Sequence, residues 1–230
     1  MKRYTNFIFA ICIIAILVTC LSPYSGKYEN TTGLPVEGTP VVVSHLFEPL
    51  GGGGVGGIKF YTTDPKYRTQ SGYTLWAYNS APSGVFIERT VRLSKPTGDN
   101  LAGYGVIICS GQQEIDGKSE IVFLTIMINN NGQYAVGKVT GGSYKPLVPW
   151  KTHSALIGSG LINKIKIVRD NTLGSENQYF LHFNDVHYPA SDFFVDNEAP
   201  LCEGYGRNGY IVVISPTDLN GSAVEVYFYE

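Results

Sequence analysis

Residues 129–169 read NNNGQYAVGKVTGGSYKPLVPWKTHSALIGSGLINKIKIVR. Asn130-Asn131-Gly132 is a tight-turn signal, because Asn and Gly tolerate the positive φ that short hairpin loops demand. It reverses the run Ile121–Ile128 (IVFLTIMI) into a second strand, Gln133–Val139. Gly141-Gly142 turns the chain again, into a segment ending at Trp150. Ser154–Ile157 can form one short turn, ended by Gly158 and Gly160. In Ile162–Arg169, Ile165 and Ile167 alternate with Lys164 and Lys166. That is the period of a strand with its isoleucines inward and its lysines in water. Ile121–Ile128 is almost wholly apolar and is expected as a central strand covered on both faces.

The same pattern continues outward in both directions. Strands are expected at Val41–Phe47, Gly57–Tyr61, Tyr73–Tyr78, Val85–Leu93, Gly103–Cys109, Ile121–Ile128, Gln133–Val139, Ile162–Arg169, Gln178–Phe183, Tyr210–Ile214 and Ala223–Tyr229. In the last, Val224, Val226 and Phe228 oppose Glu225, Tyr227 and Tyr229. No helix-period segment exceeds a turn, and no internal repeat is present. Gly51–Gly57 is a glycine-rich insert between strands. Short alternating runs separated by turn signals indicate an all-β sandwich or barrel.

Composition agrees: 27 Gly and 16 Tyr suit strands and tight turns. Only 16% of residues are charged and the net charge is -2. No strong positive field exists to attract phosphates, which argues against nucleic-acid binding. No Gly-x-Ser-x-Gly elbow or phosphate loop occurs, and no cofactor is expected.

The N-terminus reads separately from the fold. Lys2 and Arg3 precede the apolar run Phe7–Val18. It is shorter than the roughly 20 residues of a membrane span and suits a signal-peptide core. The sequence Leu17-Val18-Thr19-Cys20 resembles the lipobox of bacterial lipoproteins, in which the Cys is acylated and becomes the new N-terminus. Thr19 departs from the usual small residue there, as in relaxed lipoboxes such as those of spirochaetes. This implies a signal peptide over 1–19, lipid attachment at Cys20, a Pro/Gly/Ser/Thr-rich tether over 20–40 and one domain over 41–230. An exported protein held on a bacterial membrane follows, with an outer-membrane or cell-surface address favoured because Leu21, not Asp, follows the Cys. A plain secretory signal and a short uncleaved anchor are the alternatives. Cys109 and Cys202 remain for the exported domain. They either pair as a disulfide, as an oxidising compartment permits, or stay as separate buried thiols.

The runs GYGVIICSG (103–111), FLTIMINNNGQYAVGKVTGGSYKPLVPW (123–150) and GSGLINKIKIVRD (158–170), with the closing GYIVVISPTDLNGSAVEVYFYE (209–230), resemble the concanavalin A-like lectin/glucanase superfamily. The closest variety is the bacterial laminin-G-like and keto-disaccharide hydrolase-like one. Gly103, Tyr104, Gly105, Gly132, Tyr134, Gly137, Lys138, Leu147, Trp150, Asn163 and Ile165 carry the likeness. It implies a jelly-roll β-sandwich of two antiparallel sheets, with Trp150 in the core. Such residues specify a scaffold and leave function open.

Candidate chemistry is sparse. Some glucanases of this superfold carry paired glutamates on an inner strand, and Glu114-x-Asp116-x-x-x-Glu120 invites that reading. Retaining hydrolysis needs carboxyl groups about 5–5.5 Å apart, whereas six residues of extended strand span about 20 Å. Asp116-Gly117 is a turn signal, so this is expected as a hairpin tip with solvated charges. His182 and His187 flank another turn and lack a third ligand at metal spacing. Asp192, Asp196 and Glu198 form a weak calcium candidate. Aromatic side chains are the better functional material, since sugars stack on their faces and tyrosine adds a hydroxyl. Trp76, Tyr188, Phe193 and Tyr205 are the ligand-binding candidates, with Tyr78 and Phe194 beside them. The expected role is non-catalytic binding of a glycan or another surface macromolecule. A glycoside hydrolase of keto-disaccharide hydrolase type and a structural protein-interaction module are the alternatives.

Overall fold

In the computed structural model the described residues are 46–50, 56–65, 73–78, 86–140, 143–158, 160–170, 172, 177–186, 192–197, 206–215 and 217–230. Thirteen strands run through them: β1 Phe47–Pro49, β2 Gly57–Thr62, β3 Tyr73–Tyr78, β4 Glu88–Thr97, β5 Tyr104–Ile115, β6 Lys118–Ile128, β7 Gln133–Thr140, β8 Ser143–Thr152, β9 Asn163–Arg169, β10 Gln178–Phe183, β11 Phe193–Val195, β12 Arg207–Ile214 and β13 Val224–Tyr229. They form a seven-stranded sheet ordered β1-β2-β13-β4-β9-β10-β11 and a six-stranded sheet ordered β3-β12-β5-β6-β7-β8. Every pairing is antiparallel. The architecture is the two-sheet, all-β sandwich expected from the sequence.

Period-two alternation assigns each strand its inner face. Val224, Val226 and Phe228 of β13, Ile165 and Ile167 of β9, and Val122, Leu124, Ile126 and Ile128 of β6 meet in one buried cluster between the sheets. Tyr104, Tyr134, Tyr179 and Tyr210 are fully buried with them. β6 lies between β5 and β7, and its other face is also covered: Phe123 and Met127 belong to a second apolar cluster with Ile107, Val139, Ile211 and Val213. Trp150 packs on that second cluster, outside the inter-sheet core where the sequence placed it. Its ring lies over Gly103, where an added Cβ would come within 3.0 Å of it. Gly105 is needed for a closer approach, since a Cβ there would stand 2.0 Å from the Ile126 carbonyl oxygen.

Two strands escaped the sequence reading. β8 contains Pro146 and Pro149, which demote a run in sequence terms, yet β8 is the edge of its sheet and an edge strand accommodates residues with no N–H to donate. β11 is only three residues long and also an edge. What holds β11 is electrostatic. Asp192, just before it, accepts from the Tyr134 hydroxyl (2.8 Å) and Lys151 Nζ (3.2 Å) and bonds His153 Nε2 (2.7 Å). Asp196, just after it, pairs with Lys138 Nζ at 2.8 Å, and both side chains are buried. Tyr134 and Lys138 stand four residues apart on β7, as Asp192 and Asp196 do on either side of β11, so the spacings match and the edge strand is clasped to the opposite sheet.

The turns obey backbone chemistry. Gly132 takes φ 70° in the β6–β7 hairpin, and Asn184 and Asp185 take φ 52° and 58° after β10. Asp116 and Gly117, at φ 51° and 73°, form the β5–β6 hairpin tip. Residues 41–45 of the first expected strand lie outside the described residues, and β1 begins at Phe47.

Candidate functional site

Alternation that sends apolar residues inward leaves an outer row on each strand of the seven-stranded sheet. Lys59 and Tyr61 stand on β2, Glu225, Tyr227 and Tyr229 on β13, and Glu88, Thr90 and Arg92 on β4. Lys164 and Lys166 follow on β9, Phe180 and His182 on β10, and Phe193 on β11. Register places Tyr61 opposite Glu225, Lys59 opposite Tyr227, Tyr229 opposite Arg92, Arg92 opposite Lys164, Lys166 opposite His182, and Phe180 opposite Phe193. At about 4.8 Å per strand, the row from Tyr61 to Phe193 crosses about 24 Å.

One end of this face is tightly organised. Glu225 binds Lys59 Nζ at 2.5 Å and accepts from the Tyr227 hydroxyl at 2.8 Å. The Lys59 ammonium lies 4.9 Å from the Tyr61 ring centre and 5.5 Å from that of Tyr227. The Tyr227 and Tyr229 rings are parallel within 8°, with centres 6.2 Å apart, and the Arg92 guanidinium sits 6.0 Å from the Tyr229 ring. The hydrogen bond from Lys59 holds Glu225 below the usual carboxylate range, and the same bond raises Lys59. Acceptance by Glu225 raises the Tyr227 phenol. These contacts fix the orientation of the Tyr61, Tyr227 and Tyr229 rings on the surface. At the far end Phe180 and Phe193 form a tilted pair with centres 6.3 Å apart. Between the aromatic ends, Lys166 pairs with Glu88 and Lys164 with Asp185.

Glu225 and Glu88 on this face do not form a catalytic carboxyl pair. Tyr229 faces Arg92, and Glu225 and Glu88 lie four residues from that rung in opposite directions, roughly 26 Å apart along the strands. Hydrolysis needs carboxyl groups about 5–9.5 Å apart. Glu114 and Glu120 fail differently. The β5–β6 register sets Glu114 against Ser119 and Glu120 against Gln113. The two glutamates therefore come close along the hairpin but point to opposite faces, which is a firmer objection than the extended-strand distance.

The Asp192 cluster contains a His–Asp contact that no motif announced. Burial pushes the Asp192 carboxyl up, but the hydrogen bonds from Tyr134, His153 and Lys151 outweigh this and hold it low. His153 Nδ1 accepts from the Ala155 backbone N–H at 3.2 Å, so in the neutral ring Nε2 bears the proton and donates to Asp192. Both ring nitrogens are committed, leaving none to act as a base. The cluster is a joint between sheets. Its carboxylates also answer the calcium reading: Asp192 and Asp196 are each bound to cationic or hydroxyl donors of the chain itself. Glu198 lies outside the described residues, among which no metal-binding group of three or more His, Cys, Asp and Glu occurs.

A second buried polar node centres on Lys95, which is fully buried. Its Nζ donates to the carbonyls of Asp99 (2.8 Å) and Ala102 (3.2 Å). Burial pulls its pKa down to about 8 against the opposing pull of Asp218 and Asp99.

Of the binding candidates read from sequence, Phe193 stands exposed on the outer face just described. Trp76 lies on β3, in register with Ile211 at the edge of the other sheet, so it does not share that face. Tyr188 and Tyr205 lie outside the described residues, as do Cys20, His187 and Cys202. His182 is on β10 of the outer face. Phe194 is buried against Tyr179, with rings 4.8 Å apart. Cys109 is disulfide-bonded and takes φ 58° at a bulge in β5. Sequence reasoning missed Tyr61, Tyr227, Tyr229 and Arg92 as site residues. The alternation of β13 displayed its two tyrosines on the polar face, but only the strand order brings β2 and β4 beside them.

No family model matches the chain, and no curated protein matches it. Among solved structures it is similar to Bacillus licheniformis β-glucanase, with TM-score 0.45 and 9% identity over 89% of this chain and 93% of that one. It is also similar to the CBM2 module of the Lactobacillus casei BL23 phage J-1 evolved Dit, with TM-score 0.38 and 15% identity over 79% and 78%. A third likeness is to β-fructofuranosidase from Schwanniomyces occidentalis, with TM-score 0.37 and 11% identity, where 88% of this chain matches 38% of that one.

Proposed function

We propose that this is a lipid-anchored, exported β-sandwich that binds a glycan, without cleaving it, on the outer face of its seven-stranded sheet. The observation that carries the reading is the row Tyr61, Lys59, Tyr227, Tyr229 and Arg92, with Phe180 and Phe193 at its far end. Rigid tyrosines offer flat apolar faces to a sugar ring, with a hydroxyl at the rim. Charged side chains between them supply hydrogen bonds to hydroxyl groups. A face about 24 Å wide suits several sugar units in a row. The separation of Glu225 from Glu88 rules out hydrolysis by those two residues as a pair. Anchoring at Cys20 and an outer-membrane or surface address are parts of the same reading, supported by the sequence around Phe7–Cys20.

The test is retention of the full chain on an array of soluble and insoluble polysaccharides, alongside Tyr229→Ala and Arg92→Ala. Retention that falls about tenfold in either variant, equivalent to about 1.4 kcal/mol, supports the site. Failure to retain any glycan sinks it. Release of reducing ends from a retained polysaccharide would replace binding by hydrolysis. Cys20→Ala should move the protein from the membrane fraction to the soluble one.

A further inference from the structure

Eight large hydrophobic side chains stand exposed among the described residues, and five of them gather at one end of the sandwich. Ile157, Leu161 and Ile162 lie on the loop between β8 and β9, Leu101 on the loop between β4 and β5, and Val186 after β10, each between 40% and 57% exposed. The loops adjoin one another. Asn130 donates its backbone N–H to the Asn100 carbonyl, and its own carbonyl lies beside Gly158. Gly160 rests on Pro96 and Lys95, and the Lys164–Asp185 pair joins the start of β9 to the turn that bears Val186.

The aliphatic tip is built. Asn163, fully buried, accepts the Ile157 N–H (2.8 Å) and donates to the Ile157 carbonyl (2.7 Å), closing the loop at its neck. Asn184 donates to the Ala155 carbonyl (2.6 Å) and to Asn163 Oδ1 (2.9 Å), and accepts the Lys164 N–H (2.7 Å). Residues 154–163 read SALIGSGLIN and contain no charge. An uncharged loop tied by the side chains of buried Asn163 and half-buried Asn184, with Ile157, Leu161 and Ile162 turned into water, is costly to a protein that never covers it. The opposite end of the sandwich is of contrary character, since the β5–β6 hairpin tip carries Glu114, Asp116, Lys118 and Glu120.

The place where the chain enters identifies the occupant. Tyr61 donates its N–H to the Leu46 carbonyl, and Tyr61 is aligned through Glu225 with Thr97. Leu46 therefore enters at the aliphatic end, three strand spacings or about 14 Å from the end of β4. Residues 21–45, 25 in number, separate it from Cys20. With the tether expected from their Pro/Gly/Ser/Thr-rich sequence the two ends would lie about 28 Å apart, and a chain anchored at Cys20, as proposed above and on which this inference rests, would present this end to the bilayer first.

We infer that the aliphatic end, with Leu161, Ile162 and Ile157 foremost, docks on the surface of a lipid bilayer and inserts into its headgroup boundary. Burial to the depth of an amphipathic anchor suits three aliphatic side chains. Docking would fix the sandwich upright, with the sheet faces running away from the membrane and the charged hairpin outermost.

The test adds one indole to the full chain. Leu161→Trp and, as a control at the opposite end, Ile87→Trp are mixed with phosphatidylcholine vesicles carrying brominated acyl chains, and emission is compared with that of the wild type, which has Trp76 and Trp150. Both replaced residues are exposed, so folding is undisturbed, and far-ultraviolet circular dichroism checks it. Docking predicts blue-shifted, quenched emission from the added indole at 161 and an unshifted, unquenched one at 87. Emission at 161 that stays water-like on vesicles overturns the proposal, as does equal quenching at both positions. Mass analysis of the same sample reports acylation at Cys20. An unacylated chain whose indole at 161 is still quenched would refute the anchor while leaving the docking tip standing.

Discussion

Replacing Lys138 by Met should destabilise the sandwich far more than the loss of an ordinary surface ion pair. Lys138 and Asp196 keep 8% and 1% of their side-chain surface accessible, and the pair is 2.8 Å long. Methionine preserves most of the lysine's apolar length, so the change isolates the charge. It leaves the Asp196 carboxylate buried without its cation, a situation that costs about 3–5 kcal/mol. For a domain of this size each kcal/mol shifts Tm by about 2–4 °C, so a fall of roughly 10 °C is expected. Removing both charges relieves the penalty: Lys138→Met with Asp196→Leu should recover most of the loss, because well-packed apolar pairs of similar volume often match buried ion pairs. Urea denaturation of the wild type, both single variants and the double variant closes the cycle. The expected coupling is about 3 kcal/mol, the upper end for contacting residues. A single-variant cost below about 1 kcal/mol, the value of an exposed pair, would refute the assignment of Lys138–Asp196 as the clasp between the sheets.

Three further outcomes follow from named contacts. Lys95, at about 8 in the fold against 10.5 unfolded, binds its proton more weakly when folded, so its burial as a cation costs stability below pH 8 and that cost disappears as pH rises toward 10.5. Stability should gain roughly 1.5 kcal/mol between pH 8 and 9.5 through this group, seen as the difference between wild-type and Lys95→Met denaturation midpoints; a difference independent of pH would contradict it. Gly105→Ala places a Cβ against the Ile126 carbonyl and the Met127 Cα, both backbone, and should cost about 3 kcal/mol or more, which thermal melting would read. Tyr229→Ala, by contrast, removes an outward ring and should change stability by no more than about 1 kcal/mol while weakening glycan retention, so a large drop in Tm would reassign Tyr229 to structure.

The fold was legible because alternation is a local property. Ile165 and Ile167 against Lys164 and Lys166, and Val224 to Phe228 against Glu225 to Tyr229, declare their faces without knowledge of any neighbour. Apolar β6 declared its central place for the same reason. β8 stayed hidden because its prolines speak against a strand unless the strand is known to be an edge, and edges exist only once sheet order is known. The candidate site was legible in part for a related reason. Phe193 could be picked from its loop-rich surroundings, whereas Tyr61, Tyr227, Tyr229 and Arg92 belong to three strands that meet through the order β2-β13-β4. The Asp192–His153 contact joins residues 39 apart, and nothing in either local sequence signals it.

The matched spacing of Tyr134 and Lys138 with Asp192 and Asp196 has a consequence for how β11 finds its place. Three residues of ladder, Phe193 to Val195, are too few to fix an alignment by backbone bonding alone. A slip of one residue would turn Phe194 out of the core and Phe193 into it. A slip of two would keep Phe faces inward and outward but carry both carboxylates about 6.6 Å from their donors. The two charges thus act as a two-pin key: either pin alone could be met at several offsets, and only one offset seats both.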